Sequence, residues 1–494
     1  MCSGGEKALR DIARARELLY RVRRPSRTLS GVTIVAVMSK PYPCPHGRCI
    51  YCPGGPEYGT PQSYIGDEPA LMRARRVGFD PYEQVRVRLR QYEYLGHKPS
   101  KVELIVMGGT FTAMPRSYQE WFIAMALEAM NRYPEPKPSG KVSLVKAQAR
   151  NETARIRCIG LTIETRPDWA REEHADWMLY LGATKVEIGV QTIYDDILEL
   201  VRRGHGVKEA IEATRILKDS GFKVVYHIMP GLPGSDWGRD LEMIKTIFED
   251  PRFRPDMLKI YPTVVVKDTV LYQWWRSGKY KPLSDEEAVE LISEMYRYIP
   301  KYVRVMRIQR DIPAQIIEAG PRKGNLRELV EKRCLEKGIV INEIRFREVG
   351  RQLQKYLRLP DPRYTRITRY TYEASNGVEE FLAVEDTSQN IIIGFLRLRI
   401  PSEKAHRPEI DPWTAVIREL HIYGPQVPVG EKPLFEWQHQ GWGSRLLREA
   451  ERIAREEYGK KKMLILSGIG VREYYRKHGY HRPPNSPYMT KYLN

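Results

Sequence analysis

From residue 29 onward, short aliphatic and β-branched runs alternate with longer stretches whose apolar positions recur every three or four residues. The runs are VTIVAVM (32–38), KVELIVMGG (101–109), CIGLTIET (158–165), KVEIGVQT (185–192), KVVYHIMPG (223–231), MLKIYP (257–262) and RVMRIQRDI (304–312). Between them, PYEQVRVRLRQYEYLG and KEAIEATRILKDSG read as amphipathic helices, the second closed by a C-cap glycine. Strand–helix repetition with nearly continuous apolar strands predicts an α/β fold, a parallel sheet or barrel spanning 29–312. Function in such a fold gathers in the loops at the C-terminal strand ends. There the sequence places Gly108-Gly109-Thr110, Glu164-Thr165-Arg166, Gln191 and the turn Pro230 to Gly234.

The pattern then changes. Residues 313–360 are charged and mixed, and read as a connector. From 361 to 494 the short strands EEFLAVED, NIIIGFLRLRI and TAVIRELHIYG precede a helix, SRLLREAERIAREEYG, with Leu446, Leu447, Ala450, Ile453 and Ala454 on one face. A strand, KKMLILSG, and a closing helix, VREYYRKHGY, follow, so a separate α+β domain is expected. A length of 494 residues suits two or three domains. No apolar run approaches the ~18 residues of a membrane span, and the N-terminus lacks the apolar core of a secretory signal, which reads as a cytoplasmic protein.

The chain has six cysteines, too few for a disulfide framework, and three of them fall within CPHGRCIYCPGG (44–55). Three clustered thiolates suit a metal centre. Zinc would need a fourth ligand, which His46 would complete, whereas an iron–sulfur cube held by three cysteines keeps one iron open. The position of Cys44, Cys49 and Cys52 just after the first strand, with Gly54 and Gly55 permitting close backbone approach, favours the cube over zinc and over an inert trio. Cys158 reads as core, and Cys334, the one cysteine of the connector, reads most simply as a lone thiol, with a second metal site there left open.

Charge adds a partner class. Against 62 acidic residues stand 81 Lys and Arg, a net charge of +19. Residues 7 to 28 carry eight basic residues against Asp11 and Glu17, spaced so that a helix would align them in a stripe. Segment 1–28 is therefore read as a nucleic-acid contact, with a merely solvated helix as the alternative.

The spacing Cys44-x4-Cys49-x2-Cys52 resembles the cluster motif of radical S-adenosylmethionine (SAM) enzymes, with one residue more between the first two cysteines than is usual there. That longer spacing matches one branch, the Elongator catalytic subunit or tRNA carboxymethyluridine synthase family. The resemblance extends over nearly the whole chain, through MGGTF (107–111), TIETRPD (162–168), EIGVQ (187–191), RGHG (203–206), LKIYPT (258–263), RELHIYG (418–424) and QHQGWG (438–443). It implies a radical SAM partial (β/α) barrel followed by an α+β GNAT-fold acetyltransferase domain. It also implies a [4Fe-4S] cluster on the three cysteines, with S-adenosylmethionine contacted by Gly108 and Gly109 and by Glu164, Gln191 and Lys259.

In the second domain Gln438-x-x-Gly441-x-Gly443 fits the loop by which GNAT enzymes hold the coenzyme A pyrophosphate at a helix N-terminus. The resemblance implies acetyl-CoA contacts from Gln438, Gln440, Gly441, Trp442, Gly443 and Ser444, from the backbone of Glu419, Leu420, His421 and Ile422, and from Lys101. Tyr474 or Tyr475, the latter favoured, would lie at the thioester; neither Glu419 nor His421 is singled out as a base. The implied reaction joins a carboxymethyl group to C5 of the wobble uridine in a tRNA anticodon. Lys141, Lys146, Arg150, Arg155 and Arg157 would hold tRNA phosphates, alongside Elongator-type partner subunits or a homo-oligomer. Two rivals stand beside this reading: a protein lysine acetyltransferase with a structural cluster, and an RNA-binding scaffold without catalysis, which the complete cysteine triad argues against.

Overall fold

The computed structural model describes residues 30–424 and 441–494. The basic segment 1–28, Gln438 and Gln440 therefore lie outside the described residues.

The first unit is a single parallel sheet in chain order. Its strands are β1 (Thr33–Met38), β2 (Lys101–Met107), β3 (Arg157–Thr165), β4 (Lys185–Gln191), β5 (Lys223–Ile228), β6 (Met257–Ile260) and, beyond a short β7 (Val265–Val266), β8 (Arg304–Ile308). Neighbours pair in register from Thr33↔Val102 at one edge to Ile260↔Ile308 at the other, and β1 does not pair with β8. The result is an open arc, a partial barrel with helices on its outer face. All seven residues of β4 are buried, as a strand covered on both faces requires.

The apolar runs overshoot the strands, and local chemistry explains where each stops. Pro230 has no amide hydrogen to continue β5, and Gly108 at φ 133° turns the chain out of β2. Leu326–Glu336, Ile344–Arg347 and Val349–Tyr356 are helices, and a small strand β9 (Ile317–Ala319) pairs with β7. Residues of the expected connector are thus packed: Leu326, Val330, Cys334, Ile344 and Val349 are buried in the main core.

The second unit is a six-stranded sheet, β10 (Thr365–Ala374), β11 (Gly377–Asp386), β12 (Ile391–Ile400), β13 (Thr414–Ile422), β14 (Lys462–Ile465) and β15 (Met489–Tyr492). Every pair is antiparallel except β13 with β14. That parallel pairing runs only from Thr414↔Lys462 to Ile417↔Ile465, after which the two strands part. Helix Trp442–Arg452 packs Leu446, Leu447 and Ala450 against this sheet, and the chain continues through a π-turn at Ile453–Glu457. The closing helix is shorter than its pattern, only Arg472–Arg476.

The two units meet through buried charge. Arg418 grips both oxygens of Asp256 at 2.7 Å and donates to Glu379 at 2.6 Å and to the Phe222 carbonyl at 2.8 Å. Lys218 lies 3.2 Å from Asp256, and Arg399 bonds Asp219 at 2.7 Å and Glu379 at 2.9 Å. All six side chains are essentially fully buried. Backbone also closes the seam: a Cβ on Gly468 would stand 2.0 Å from the Ile159 carbonyl oxygen.

The cations around Asp256, Arg418 first, hold its carboxyl well below the usual carboxylate range despite burial. A depressed folded-state pKa contributes stability above the unfolded carboxylate pKa, lost as pH falls through the folded value. Asp256→Asn leaves Arg418 and Lys218 short of a counter-charge and is expected to cost about 3–5 kcal/mol near neutral pH. Denaturant titration of both proteins should find that difference narrowing below about pH 4, where the unfolded wild type takes up the proton.

Candidate active site

The cysteine loop leaves the C-terminal end of β1 and folds over the mouth of the arc. Cys49 and Cys52 are buried and Cys44 is half-buried. Each sulfur has a polar neighbour: Thr110 Oγ1 lies 3.5 Å from Cys44, Gln62 Nε2 donates to Cys52 at 3.4 Å, and Arg203 Nη1 reaches Cys49 at 3.8 Å. Burial, reinforced by Cys49, pushes the Cys52 thiol up to about 11. Three crowded sulfurs of this kind become stable thiolates once a metal centre supplies positive charge.

His46 is engaged on both ring nitrogens. Its Nδ1 faces Arg166 Nη1 at 2.6 Å and its Nε2 faces Cys49 Sγ at 3.2 Å. Burial, with Arg166 and Arg203 adding, lowers its pKa to about 3, so the ring is neutral. Because Arg166 can only donate, Nδ1 accepts and Nε2–H points at the sulfur. His46 thus stands as a hydrogen-bond donor to the cysteine rather than as a fourth ligand.

Below the loop lies a cavity of about 160 Å³ lined by the three cysteines, Gly109, Glu164, Gln191, His227 and Lys259. Gly109 faces this cavity, whereas Gly108 packs against Ser39, where a Cβ would stand 2.1 Å from the hydroxyl. Gln191 has φ 69°, in the left-handed region, and its buried Oε1 has no partner. Tyr64 donates to Glu164 at 3.0 Å and His227 lies 2.8 Å from Glu187. Among the described residues Glu164, Glu187 and His227 are the one trio whose donor atoms lie within 4.8 Å of one another. The ammonium of Lys259 sits among them, paired with Glu187 and 3.6 Å from Glu164. A cation's place there is already filled by the protein.

The second site is a cleft of about 470 Å³ where β13 and β14 part. Glu419, Leu420, His421, Ile422, Gly441, Trp442, Gly443, Ser444, Tyr474, Tyr475 and Lys101 all line it, so every described residue expected at an acyl-CoA site meets there. Gly441 caps the helix at φ 81°, leaving the first amides of Trp442–Arg452 facing the cleft. A Cβ on Gly443 would lie 2.8 Å from the Tyr474 hydroxyl and 3.9 Å from Ile422. Glu419 accepts from Arg397 at 2.9 Å, and His421 Nε2 donates to the Ser30 carbonyl at 3.0 Å, leaving neither idle. Burial alone lowers Lys101 to about 8.

Sequence reasoning missed that this cleft is closed by the barrel. Glu103, Gly160, Thr184, Lys185 and Lys223, all at or near the N-terminal ends of the parallel strands, form its far wall. Between cleft and cluster cavity lies a third space of about 710 Å³. It shares Glu103, Lys185, Glu419 and His421 with the cleft, and Lys259, Arg307 and Asp311 with the cluster cavity. Arg203, in the wall of the cluster cavity, and Glu187, paired with Lys259, were not expected there, although they fall within the motifs RGHG and EIGVQ.

The expected RNA contacts Lys141, Lys146, Arg150 and Arg155 are exposed, on or beside helix Leu144–Asn151, with Arg150 paired to Glu128 at 2.8 Å; Arg157 is half-buried at the start of β3. Cys158 and Cys334 are buried core thiols. No helix among the described residues is long and apolar enough to cross a membrane.

Residues 40–247 match the Radical SAM superfamily, 255–336 the Radical SAM C-terminal domain, and 347–480 the acetyltransferase (GNAT) family. The chain is 53% identical over 476 residues to a protein of Methanocaldococcus jannaschii named tRNA uridine(34) acetyltransferase, covering 95% of this chain and 86% of that one. It is 46% identical over 481 residues to Elongator complex protein 3 of Homo sapiens, with the same two coverages. A solved structure of the archaeal Methanocaldococcus infernus Elp3, with an N-terminal deletion, superposes with a TM-score of 0.82 at 48% identity, over 94% of this chain and 100% of that one. The chain belongs to the family of tRNA uridine(34) acetyltransferases and Elongator complex protein 3, in which a radical SAM domain is joined to a GNAT acetyltransferase domain.

Proposed function

We propose that this protein carboxymethylates C5 of the wobble uridine in tRNA anticodons, drawing the two carbons from acetyl-CoA. The observation that carries the reading is the shared lining of three spaces, which runs from the cleft between β13 and β14 to the cysteine-lined cavity through the interior of one half-barrel.

Cys44, Cys49 and Cys52 would hold a [4Fe-4S] cluster. His46 faces Arg166 with one ring nitrogen and Cys49 with the other, which leaves the trio without a free fourth ligand, so mononuclear zinc fits poorly. Cluster and S-adenosylmethionine together supply one-electron hydrogen abstraction, here from the acetyl methyl group. The chain's own residues do the rest. Gln191 Oε1, buried and unpartnered in the cavity wall, offers an acceptor to a ligand there. Arg203 and Nε2–H of His46 stabilise negative charge on Cys49. In the cleft, the amides at Gly441 to Ser444 cradle pyrophosphate, and the unpaired edge of Glu419 to Ile422 accompanies the pantetheine arm. Burial raises the Tyr475 hydroxyl above its ordinary range, keeping it protonated as a donor to the leaving thiolate. tRNA is bound through phosphates by the basic 1–28 segment and the Lys141–Arg157 surface, and Elongator-type subunits remain the expected partners.

Anaerobically reconstituted protein, supplied with tRNA, acetyl-CoA and S-adenosylmethionine, is expected to yield 5-carboxymethyluridine by nucleoside mass spectrometry. Unmodified uridine with an intact cluster would overturn the reading, and acetylated protein without S-adenosylmethionine would favour a lysine acetyltransferase. Cys49→Ala should abolish both the product and 5′-deoxyadenosine while acetyl-CoA affinity stays within about twofold, as expected for a second site at the far end of a sheet. Tyr475→Phe should slow thiol release from acetyl-CoA by about 10²-fold, in the range of a lost general acid, with 5′-deoxyadenosine still formed.

A further inference from the structure

Lys223 opens β5, and its side chain lines the acyl cleft. Its backbone is pinned from three directions. Its own amide donates to the Thr184 carbonyl at 3.1 Å, Arg418 holds the Phe222 carbonyl before it, and the Val224 amide after it donates to Asp256 at 2.8 Å. The neighbouring cations are engaged: Lys185 with Glu103, and Arg418 with Asp256 and Glu379. Lys223 alone of these three makes no side-chain hydrogen bond or ion pair among the described residues, although Glu419 is the largest charge attracting it. Glu419 is itself held by Arg397 at 2.9 Å.

The cleft has a direction. Gly443 lies beside Ile422, at one end of the open edge of β13, so phosphates cradled at Gly441 to Ser444 fix that end. The other end is the vertex where β13 and β14 separate after Ile417↔Ile465. A thioester laid along the edge therefore brings its acyl group to Glu419, and the same Glu419 is near enough to influence both Lys223 and Tyr475.

We propose that the Lys223 ammonium donates a hydrogen bond to the carbonyl oxygen of the acyl thioester at this inner end, and stabilises the negative charge that collects there during hydrolysis. The assignment rests on the reading of the cleft as an acetyl-CoA site. Water adds to the carbonyl carbon and the C–S bond breaks. The sulfur departs with one proton as free thiol, and the acid so formed releases the other, leaving a carboxylate beside the ammonium. Preorganised positive charge at a developing oxyanion, in a site shielded from water, acts strongly on such a step.

Burial lowers the Lys223 pKa, with Lys185 and Arg418 adding to the effect and Glu419 and Glu103 opposing it. The charged form acts, so hydrolysis should fade as pH rises through the lowered value. Arginine at this position stays charged, and the alkaline limb should move upward.

The test uses the full chain with Lys223→Met and Lys223→Arg, each checked for an unchanged melting temperature, and CoA and acetyl-CoA as probes, with and without RNA. Lys223→Met is expected to weaken acetyl-CoA binding about tenfold, the scale of a lost hydrogen bond to a charged donor, while CoA, which lacks the carbonyl, binds as before. Thiol release in the presence of tRNA should fall about 10²-fold, and Lys223→Arg should recover most of it with its alkaline limb shifted upward. Equal losses for CoA and acetyl-CoA, or undiminished thiol release by Lys223→Met, would reduce Lys223 to a structural cation and leave the acetyl-CoA reading intact. Wild-type protein that binds neither probe would remove both.

Discussion

Asp256, Glu379, Lys218 and Arg418 form a buried knot of charge on which the rest of the molecule depends. Each would be costly to bury alone, and breaking such a set by removing one partner costs far more than the set contributes over an apolar replacement. The consequence is geometric. Lys218 and Asp256 belong to the half-barrel, Glu379 and Arg418 to the second sheet, so the charges are satisfied only when the two units sit in one orientation. Arg418 reaches its partners because β13 carries a bulge there: Arg397 pairs with Glu419 and Leu398 with Ile417, leaving Arg418 as the extra residue. A bulge re-aims one side chain and sharpens the local twist. At this position it sends the guanidinium into the barrel and opens the cleft immediately afterward.

That orientation decides what the two sites can do together. Strands of the arc run from the acyl cleft at their N-terminal ends to the cysteine loop at their C-terminal ends, with Lys101 and Gly109 marking the two limits along β2 and its turn. At about 3.3 Å per residue, a strand of this length separates the sites by roughly 20 Å. A group on one side therefore reaches the other only through the interior, and the interior is hollow.

The sheet was legible in the sequence because its strands carry aliphatic and β-branched runs, with β4 and β6 buried throughout and β2 buried at alternate positions. Strand ends were less so: Pro230 and Gly108 stop the ladder within runs that remain hydrophobic, because hydropathy is blind to a missing amide or a left-handed turn. β10 escaped notice because TRITRYTYEA lies at a sheet edge with only two of its ten residues buried. The cysteines, the pyrophosphate loop and the tyrosines announced themselves as motifs. The charges lining the interior did not, since a lysine before a strand normally marks a solvated end. One signal was available. KVELIVM, KVEIGVQ and KVVYHIM each open on Lys-Val, and two of them place a glutamate third. Three parallel strands starting alike bring Lys101, Lys185 and Lys223 to one rim, and the rim becomes interior only because a second domain covers it.

The hollow itself carries an argument about what enters it. Nine Arg and Lys side chains line it against four carboxylates, among them Arg304 held by Glu348 and Lys185 held by Glu103. Some of these cations are answered by carboxylates outside the lining, Lys259 by Glu187 and Arg327 by Glu331 and Glu343, while like charges facing one another across the space repel. Burial and neighbouring guanidinium groups already depress Arg345 and Arg351 from the usual arginine range. An anionic occupant would add an attraction that opposes those repulsions. The open seam between β1 and β8 is the side on which the arc lacks a strand. An arc closed into a full barrel would have removed that repulsion by packing apolar side chains inward. Leaving it open, and lining it with cations, gives the space a positive potential that favours an anionic occupant.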